Sequence, residues 1–245
     1  MKIWISATSE ETGRRAAGQG AHLLREALAS KPIATIVVAT GASQFHLYDA
    51  LVAEANIDWS RVEIFHLDEY VGLPATHPGS FRKYLAERFI DRLPTPPAAF
   101  YPIAGEDDPL VECGRLAELI DSRTIDVLFC GIGENGHLAF NDPPADFECD
   151  AAYLIVELDE ACRRQQLGEG WFPKLSKVPK QAISMSIRQI MSAAAIVCTV
   201  PDERKAEAVR AAIEGEITAD VPASILQKHE HCALFLDRES SRLLA

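Results

Sequence analysis

The chain lacks the features that would place it in a membrane, in a disulfide-stabilised scaffold or on nucleic acid. Its 245 residues contain no window of about 18 apolar residues, which a transmembrane helix would need. The six cysteines form no C-x-x-C pair and show no zinc-finger spacing. Lys and Arg number 24 against 36 Asp and Glu, so the net charge of −12 excludes a broad basic surface for phosphate backbones. A cleft of opposite local charge can still suit a small anion.

The cysteines and the first residues indicate a reducing compartment. Cys130, Cys198 and Cys232 lie in apolar runs, where a buried free thiol is expected. The chain enters a strand-like pattern at residues 2–6, without the apolar region of a signal peptide or the bias of a transit peptide. We therefore expect a reduced, cytoplasmic protein.

Apolar runs alternate with helical patterns, and no internal repeat or low-complexity tract interrupts them. We predict strands over 2–6, 33–39, 61–67, 125–130, 151–157, 195–200 and 232–236. We predict helices over 9–30, 43–55, 79–92, 107–121, 158–167, 202–214 and 237–243. Several strands are almost continuously apolar, which is typical of parallel strands covered on both faces. The pattern predicts one α/β domain, 1–245, with a doubly wound, mostly parallel, Rossmann-like sheet and helices on both faces.

Three loops with unusual chemistry follow predicted strands, at residues 40–44, 67–74 and 131–137. In open parallel sheets, ligands bind in the crevice outside the carboxyl ends of the strands. Because those ends meet at one edge of the sheet, we expect the three loops to line one pocket.

The first loop has the chemistry of an anion site. Thr40, Gly41, Ala42 and Ser43 precede a predicted helix, and exposed N–H groups at a helix start, two hydroxyls and a glycine suit a phosphate. Ordinary helix capping by the same hydroxyls is the simpler alternative. Lys205, in the first turn of a later predicted helix, could reach an anion in the same cleft, although most lysines are solvated.

The second loop carries adjacent carboxylates, Asp68 and Glu69, directly after a strand. Successive side chains along extended backbone point to opposite faces, so one carboxylate can face the cleft while the other supports the scaffold. A carboxylate that removes a proton from carbon must lie near the substrate and be partly desolvated. A solvated acidic loop is the alternative.

The third loop, Gly131–Gly136, matches G-x-G-x-x-G in form. It does not fit the dinucleotide fingerprint, because residues 141–144 contain two prolines that would break the long helix such a motif opens. The glycines instead predict a tight turn that directs His137 into the cleft. Asp142 is placed to hold the imidazole through a ring nitrogen, as in acid–base pairs. A packed structural histidine is the alternative.

Two long motifs resemble the glucosamine-6-phosphate deaminase/isomerase family, and the likeness extends over nearly the full chain. The motifs are residues 65–74, FHLDEYVGLP, and residues 131–141, GIGENGHLAFN. Shorter supporting matches lie at 178–180, 205–208 and 222–224. The resemblance implies a Rossmann-like α/β fold and conversion of an amino-sugar phosphate to a ketose phosphate plus ammonia, without a metal or cofactor.

The resemblance also implies roles for individual residues. His137 matches the acid–base group that opens the sugar ring, and Asp68 matches the carboxylate that moves a proton between C2 and C1. Asn135 and Asp142 match the positions that polarise the histidine, although the second is usually Glu in the family. The phosphate-binding positions match Thr40, Gly41, Ala42, Ser43 and Lys205.

The chain departs from the family pattern at Glu169. Deaminases usually present a phosphate-gripping arginine in the segment that corresponds to 167–172, and here that position falls on Glu169 or a glycine. A negative charge there opposes a phosphate dianion. Arg163, Arg164 and Lys174 are the candidates to compensate, and the alternative is a different phosphosugar or a substrate without phosphate.

Two other functions fit parts of the sequence. A 6-phosphogluconolactonase shares the fold and a Gly-His turn, but hydrolysis gives Asp68 no proton to move between carbons. A sugar-phosphate sensor is expected to carry a helix-turn-helix module, whereas this sequence starts directly with a strand. We therefore expect an enzyme that binds a small sugar phosphate and has neither nucleic acid nor a membrane as a partner. The sequence leaves a homo-oligomer possible.

Overall fold

The structure is a computed structural model that describes residues 1–168 and 170–245. The strands are β1 (Lys2–Ser6), β2 (Ala34–Val38), β3 (Val62–His66), β4 (Asp68–Tyr70), β5 (Ala99–Tyr101), β6 (Ile125–Cys130), β7 (Tyr153–Glu157), β8 (Gln181–Met185), β9 (Ile196–Val200) and β10 (Cys232–Asp237). The α-helices are α1 (Ser9–Ser30), α2 (Phe45–Leu51), α3 (Phe81–Arg88), α4 (Pro109–Asp121), α5 (Glu160–Gly168), α6 (Ile187–Met191) and α7 (Ala206–Glu214). None of these helices is long and apolar enough to cross a membrane.

Seven parallel strands form the central sheet, in the order β1-β10-β9-β6-β2-β3-β5. Side chains alternate along each strand, so the sheet divides the apolar residues into two cores. In β2, Ile36 and Val38 pack with α1, α2 and α3, whereas Val37 packs on the opposite side with α4, α6 and α7. Helices therefore cover both faces of a mostly parallel sheet, as the sequence predicts.

A capping hydroxyl fixes the start of helix α1, and two glycines allow it to pack closely against its neighbours. The Thr8 hydroxyl caps it by accepting a hydrogen bond from the Glu11 N–H. Gly13 and Gly20 let its backbone approach the neighbouring elements. A Cβ atom at Gly20 would lie 2.4 Å from the ring of Phe129, in the centre of the sheet.

A second, three-stranded antiparallel sheet has the order β4-β8-β7. The chain passes into it directly from β3, since the Leu67 N–H donates to Val38 of the main sheet and the Leu67 carbonyl accepts from Met185 of β8. Asp68 and Glu69 therefore lie in a short strand, where the sequence predicts a loop.

The sequence predictions differ from the structure in a few elements. Strands β4, β5 and β8 and helix α6 were not predicted, and β7, predicted over 151–157, belongs to the small sheet. The helix predicted over 237–243 is wrong. Asp237 there ends β10 and its carboxylate accepts the N–H of Ser240, which folds the chain into a turn.

Candidate active site

A cavity of about 410 Å³ opens at the carboxyl ends of β2, β3, β6 and β9. Its size is within the usual range for small-molecule sites. All three loops singled out in the sequence contribute to it. Of the residues predicted for the site, those that line the cavity are Thr40, Gly41, Ala42, Ser43, Asp68, His137 and Lys205.

The loop after β2 turns sharply into a short 3-10 helix, Ala42–Gln44. Gly41 makes this turn with a φ of 99°, a conformation that favours glycine. The buried Gln44 side chain donates to the Ser43 hydroxyl at 2.9 Å and to the carbonyl of Cys130 at 3.5 Å. Because these bonds tie the loop to β6, its N–H groups and hydroxyls are held at a fixed position on the cavity wall.

The two adjacent carboxylates have separate environments. Asp68 is 7% exposed and lines the cavity, whereas Glu69 is fully buried on the other side of β4. Pairing with β8 fixes this division, because Asp68 lies opposite Ser184 and Glu69 opposite Ile183. The alternation expected from the sequence is therefore present, with Asp68 as the carboxylate that faces the cavity.

Glu69 organises the start of α3. Its carboxylate accepts hydrogen bonds from the N–H groups of Tyr70, Phe81 and Arg82 and from the Ser80 hydroxyl. The Arg82 guanidinium adds a charged contact at 3.3 Å. Burial raises the pKa of Glu69, and these hydrogen bonds oppose that rise. Glu69 therefore supports the strand that carries Asp68.

His66, at the end of β3, is a buried and neutral histidine. Its Nε2 atom accepts the N–H of Ile103 at 2.8 Å. Burial lowers the pKa of His66 to about 3, because the charged imidazolium would be desolvated. His66 is therefore a structural acceptor, and it is not among the residues that line the cavity.

The glycine-rich segment after β6 is a turn, and no helix follows it. The Gly133 N–H donates to the His137 carbonyl and the Gly136 N–H to the Gly133 carbonyl, which closes the turn. Gly136 has a φ of 87°. A Cβ atom on Gly133 would lie 2.3 Å from the His137 ring, so only glycine leaves room for the imidazole.

Asn135 and Asp142 contact His137 but are not among the residues that line the cavity. The Nδ1 atom of His137 is 3.1 Å from Oδ1 of Asp142, and the Asn135 amide donates to the same oxygen at 3.0 Å. Burial alone would raise the pKa of Asp142, but the contacts with His137 and Asn135 outweigh it and hold that pKa below its ordinary value. Asp142 is therefore an anion at neutral pH.

Cys162 of α5 adjoins this pair. Its sulfur, the imidazole and the Asp142 carboxylate each place one donor atom within 4.8 Å of the other two. Burial, followed by the negative charge of Asp142, raises the pKa of the Cys162 thiol far above its ordinary value. These three side chains are the group in the described chain that could hold a metal ion.

Lys205 ends a short 3-10 helix, Glu203–Lys205, immediately before α7. The backbone reaches this helix through Asp202, which has a φ of 91°. Arg204, which the sequence analysis missed, also lines the cavity and forms ion pairs with Asp202 at 2.8 Å and Glu134 at 3.5 Å. Two adjacent cations therefore face the loop after β2 across the cavity.

Several other lining residues were also missed. His46 follows the predicted phosphate loop by one helical turn, a spacing that could have been used to find it. Gln165 and Gln166 of α5 carry no such signal, and their place is set by the Glu134 N–H and the Tyr70 hydroxyl that donate to them. The further lining side chains that sequence reasoning missed include Phe81, Phe140 and Glu239.

Glu169, where the sequence departs from the arginine expected in the family, lies outside the described residues. The three basic side chains proposed to compensate for it do not line the cavity in the part of the chain that is described. Arg163 donates to the carbonyls of Leu175 and Val178, and Arg164 pairs with Glu160 at the surface.

Comparison with known proteins identifies the family. The family model described as glucosamine-6-phosphate isomerases/6-phosphogluconolactonase matches residues 7–235. The chain belongs to this family. The resemblance that the two long motifs predict is therefore confirmed.

Curated members of the family match over the full chain. Glucosamine-6-phosphate deaminase 1 of Bacillus subtilis (strain 168) is 35% identical over 248 residues, covering 99% of each chain. The glucosamine-6-phosphate deaminase of Exiguobacterium sibiricum is 37% identical over 246 residues, covering 100% of this chain and 94% of that protein.

Solved structures of the family have the same fold. A structure described as a monomeric glucosamine-6-phosphate deaminase superposes with a TM-score of 0.90 at 34% identity, covering 99% of this chain and 100% of the other. A protein described as a putative 6-phosphogluconolactonase from Neisseria gonorrhoeae gives a TM-score of 0.78 at 21% identity, covering 97% and 99%. The second likeness shows the fold alone.

Proposed function

We propose that the chain is an amino-sugar phosphate deaminase/isomerase that converts glucosamine 6-phosphate, or a closely related amino sugar, to the ketose phosphate plus ammonia. The observation that supports this most is the shared cavity. A carboxylate, Asp68, and an imidazole, His137, line it together with a hydroxyl-rich loop and Lys205. The full-length relatives above 30% identity are named as deaminases.

His137 opens the sugar ring in this proposal. The cyclic amino sugar opens when a proton leaves the anomeric hydroxyl and another reaches the ring oxygen, and an imidazole, which can both accept and donate a proton, can carry out both transfers. Asp142 at 3.1 Å stabilises the imidazolium that forms between them.

Asp68 then moves a proton between two carbons. It removes the proton from C2 of the open aldehyde, which gives an enolamine, and returns it to C1. The imine left at C2 takes up one water, so the carbon–nitrogen bond breaks and ammonia leaves a ketone behind. Asp68 is largely buried in a cavity that apolar Phe81 and Phe140 also line, a position that suits a carboxylate that must accept a proton from carbon.

The phosphate is bound away from the reacting carbons. The N–H groups and hydroxyls of residues 40–43 face it from one side, and Lys205 and Arg204 from the other. Binding energy from this remote group is available to orient C1 and C2 between Asp68 and His137.

The test is a substrate panel measured by ammonia release, with lactone hydrolysis measured in parallel. We expect ammonia from glucosamine 6-phosphate and far less from free glucosamine, because the free sugar lacks the group that residues 40–43 and Lys205 would bind. Hydrolysis of 6-phosphogluconolactone without ammonia release would refute the deaminase and support the lactonase. Tight binding of the amino-sugar phosphate without turnover would support the sensor.

The proposal extends to the cellular setting. All six cysteines are free thiols, which supports a reducing, cytoplasmic location. The sequence leaves a homo-oligomer possible, and the number of subunits is to be measured in solution. The solved deaminase with a TM-score of 0.90 is described as monomeric.

A further inference from the structure

Three metal-binding side chains from different parts of the sequence converge behind the cavity. His137 comes from the glycine-rich turn, Asp142 from the segment after it, and Cys162 from α5. Their donor atoms all lie within 4.8 Å of one another, and no second group of three such residues converges in this way within 1–168 and 170–245.

Two polar atoms of this group are buried without a hydrogen bond. They are Nδ1 of His137, which lies 3.1 Å from Oδ1 of Asp142, and the other carboxylate oxygen, Oδ2 of Asp142. A buried polar atom without a partner destabilises the folded state, because it loses its hydrogen bonds to water and gains none in return. A cation between the two side chains and Cys162 would give both atoms a partner.

The spacing is close to that of a tetrahedral metal site. Bonds of about 2.0–2.3 Å place the donor atoms roughly 3.4–3.6 Å apart. The three donor atoms all lie within 4.8 Å of one another, so any pair must close by about 1.4 Å at most.

We propose that His137, Asp142 and Cys162 bind Zn²⁺. A thiolate, an imidazole and a carboxylate form a donor set that suits Zn²⁺ and is poor for Mg²⁺ or Ca²⁺, which take oxygen ligands. The ion is bound by Sγ, Nδ1 and one carboxylate oxygen, and water takes the fourth position. Binding releases the thiol proton to solvent, so the two anionic ligands balance the charge of the ion.

Zn²⁺ at this position would inhibit the enzyme, and this consequence rests on the proposed function. An imidazole bound to metal through Nδ1 keeps its remaining proton on Nε2, so it can no longer accept a proton from the sugar. The same ion occupies Asp142, which otherwise stabilises the imidazolium.

Binding is tested with Co²⁺ as a coloured substitute for Zn²⁺ on the purified full-length chain. We expect the near-ultraviolet absorption of a Co²⁺–thiolate bond, and its loss when Zn²⁺ is added in competition. Cys162→Ser should abolish the absorption and weaken Zn²⁺ binding by more than the roughly 10–100-fold typical of losing an outer-shell partner. Cys149→Ser, which changes a half-buried cysteine outside the group, is the matched control and should keep the absorption.

Asp142→Asn removes a second proposed ligand and should also weaken Co²⁺ binding. Circular dichroism checks that this variant is folded. Absence of the thiolate absorption in the folded wild type, or equal absorption in wild type and Cys162→Ser, would overturn the proposal. Inhibition is tested separately from binding. Zn²⁺ should stop ammonia release by the wild type, and a chelator should restore it. A protein that binds Co²⁺ through Cys162 but, when freed of metal by a chelator, still releases no ammonia from glucosamine 6-phosphate would refute the proposed function and leave the metal site standing.

Discussion

At the scale of single residues, Asp68 and Glu69 have opposite surroundings although they are neighbours in sequence. Glu69 is held by five hydrogen-bond donors from four residues, while Asp68 lines the cavity. The sequence predicts the separation, because extended backbone alternates its side chains. The alternation alone does not predict which carboxylate faces the cavity, because that depends on pairing with β8, a strand that the sequence pattern does not reveal; the family resemblance is what singles out Asp68.

Asp68→Asn should therefore lower turnover while leaving ligand binding largely intact. The amide keeps the size of the side chain but cannot accept a proton from carbon, and loss of general-base catalysis costs about 10²–10⁴-fold. Ammonia release gives the rate, and calorimetry with a non-reacting sugar phosphate gives the affinity. Asp146→Asn, at an exposed position, is the control and should behave as wild type. Unchanged turnover in Asp68→Asn would remove Asp68 from its proposed role.

Gly133→Ala should reduce activity without unfolding the protein. The new methyl would lie 2.3–2.4 Å from the His137 ring, so the imidazole must move, and a displacement of about 1 Å can cost roughly 100-fold in rate. Gly114→Ala is the control, because nothing lies within 4 Å of its Cβ position in α4. The measurements are ammonia release and the thermal midpoint of each variant. Full activity in Gly133→Ala would show that the turn does not fix the ring.

At the scale of elements, the long periodic segments were predicted best. Strands β1 and β6 and helix α1 have the bounds that the sequence predicts, because each has a clear apolar period and an obvious start. Strands β4 and β5 have three residues each, too few to show a period. The antiparallel sheet that joins β4 to β8 is a tertiary arrangement, and it also brings α5 and its two glutamines over the cavity.

Helix α1 offers a comparison between two of its glycines. Gly20→Ala should destabilise the fold by about 1–3 kcal/mol, since its methyl would lie 2.4 Å from the Phe129 ring. Gly18→Ala should stabilise it by about 0.5–1 kcal/mol, because alanine favours a helix and only a Glu54 oxygen lies nearby, at 3.9 Å. Denaturant unfolding measures both. Equal effects of the two substitutions would mean that helix propensity, and not contact with the sheet, decides the outcome.

At the scale of the whole molecule, the buried histidine of β3 makes stability depend on pH. The pKa of His66 is about 3 in the folded chain and about 6.5 in an unfolded one, so the unfolded state binds the extra proton. Its contribution is complete above pH 6.5 and is lost as the pH falls from 6.5 toward 3, at roughly 1.4 kcal/mol per pH unit.

His66→Gln should flatten this acid dependence, because an amide oxygen can still accept the Ile103 N–H but does not titrate. The free energy of unfolding, measured by urea between pH 7 and pH 4, should therefore fall less steeply than in the wild type. His22→Gln, at an exposed position on α1, is the control and should retain the wild-type slope. Identical slopes in wild type and His66→Gln would refute the assignment.

The strand order has a consequence for how the chain is made. Strand β1, which exposes Ile3, Trp4 and Ile5 even in the finished sheet, pairs with β10. During synthesis β1 leaves the ribosome more than two hundred residues ahead of that neighbour. A nascent chain therefore carries an unpaired apolar strand through almost all of translation. Premature termination before β10 would leave both β1 and β9 with open edges, and such fragments should become substrates for chaperones and proteases.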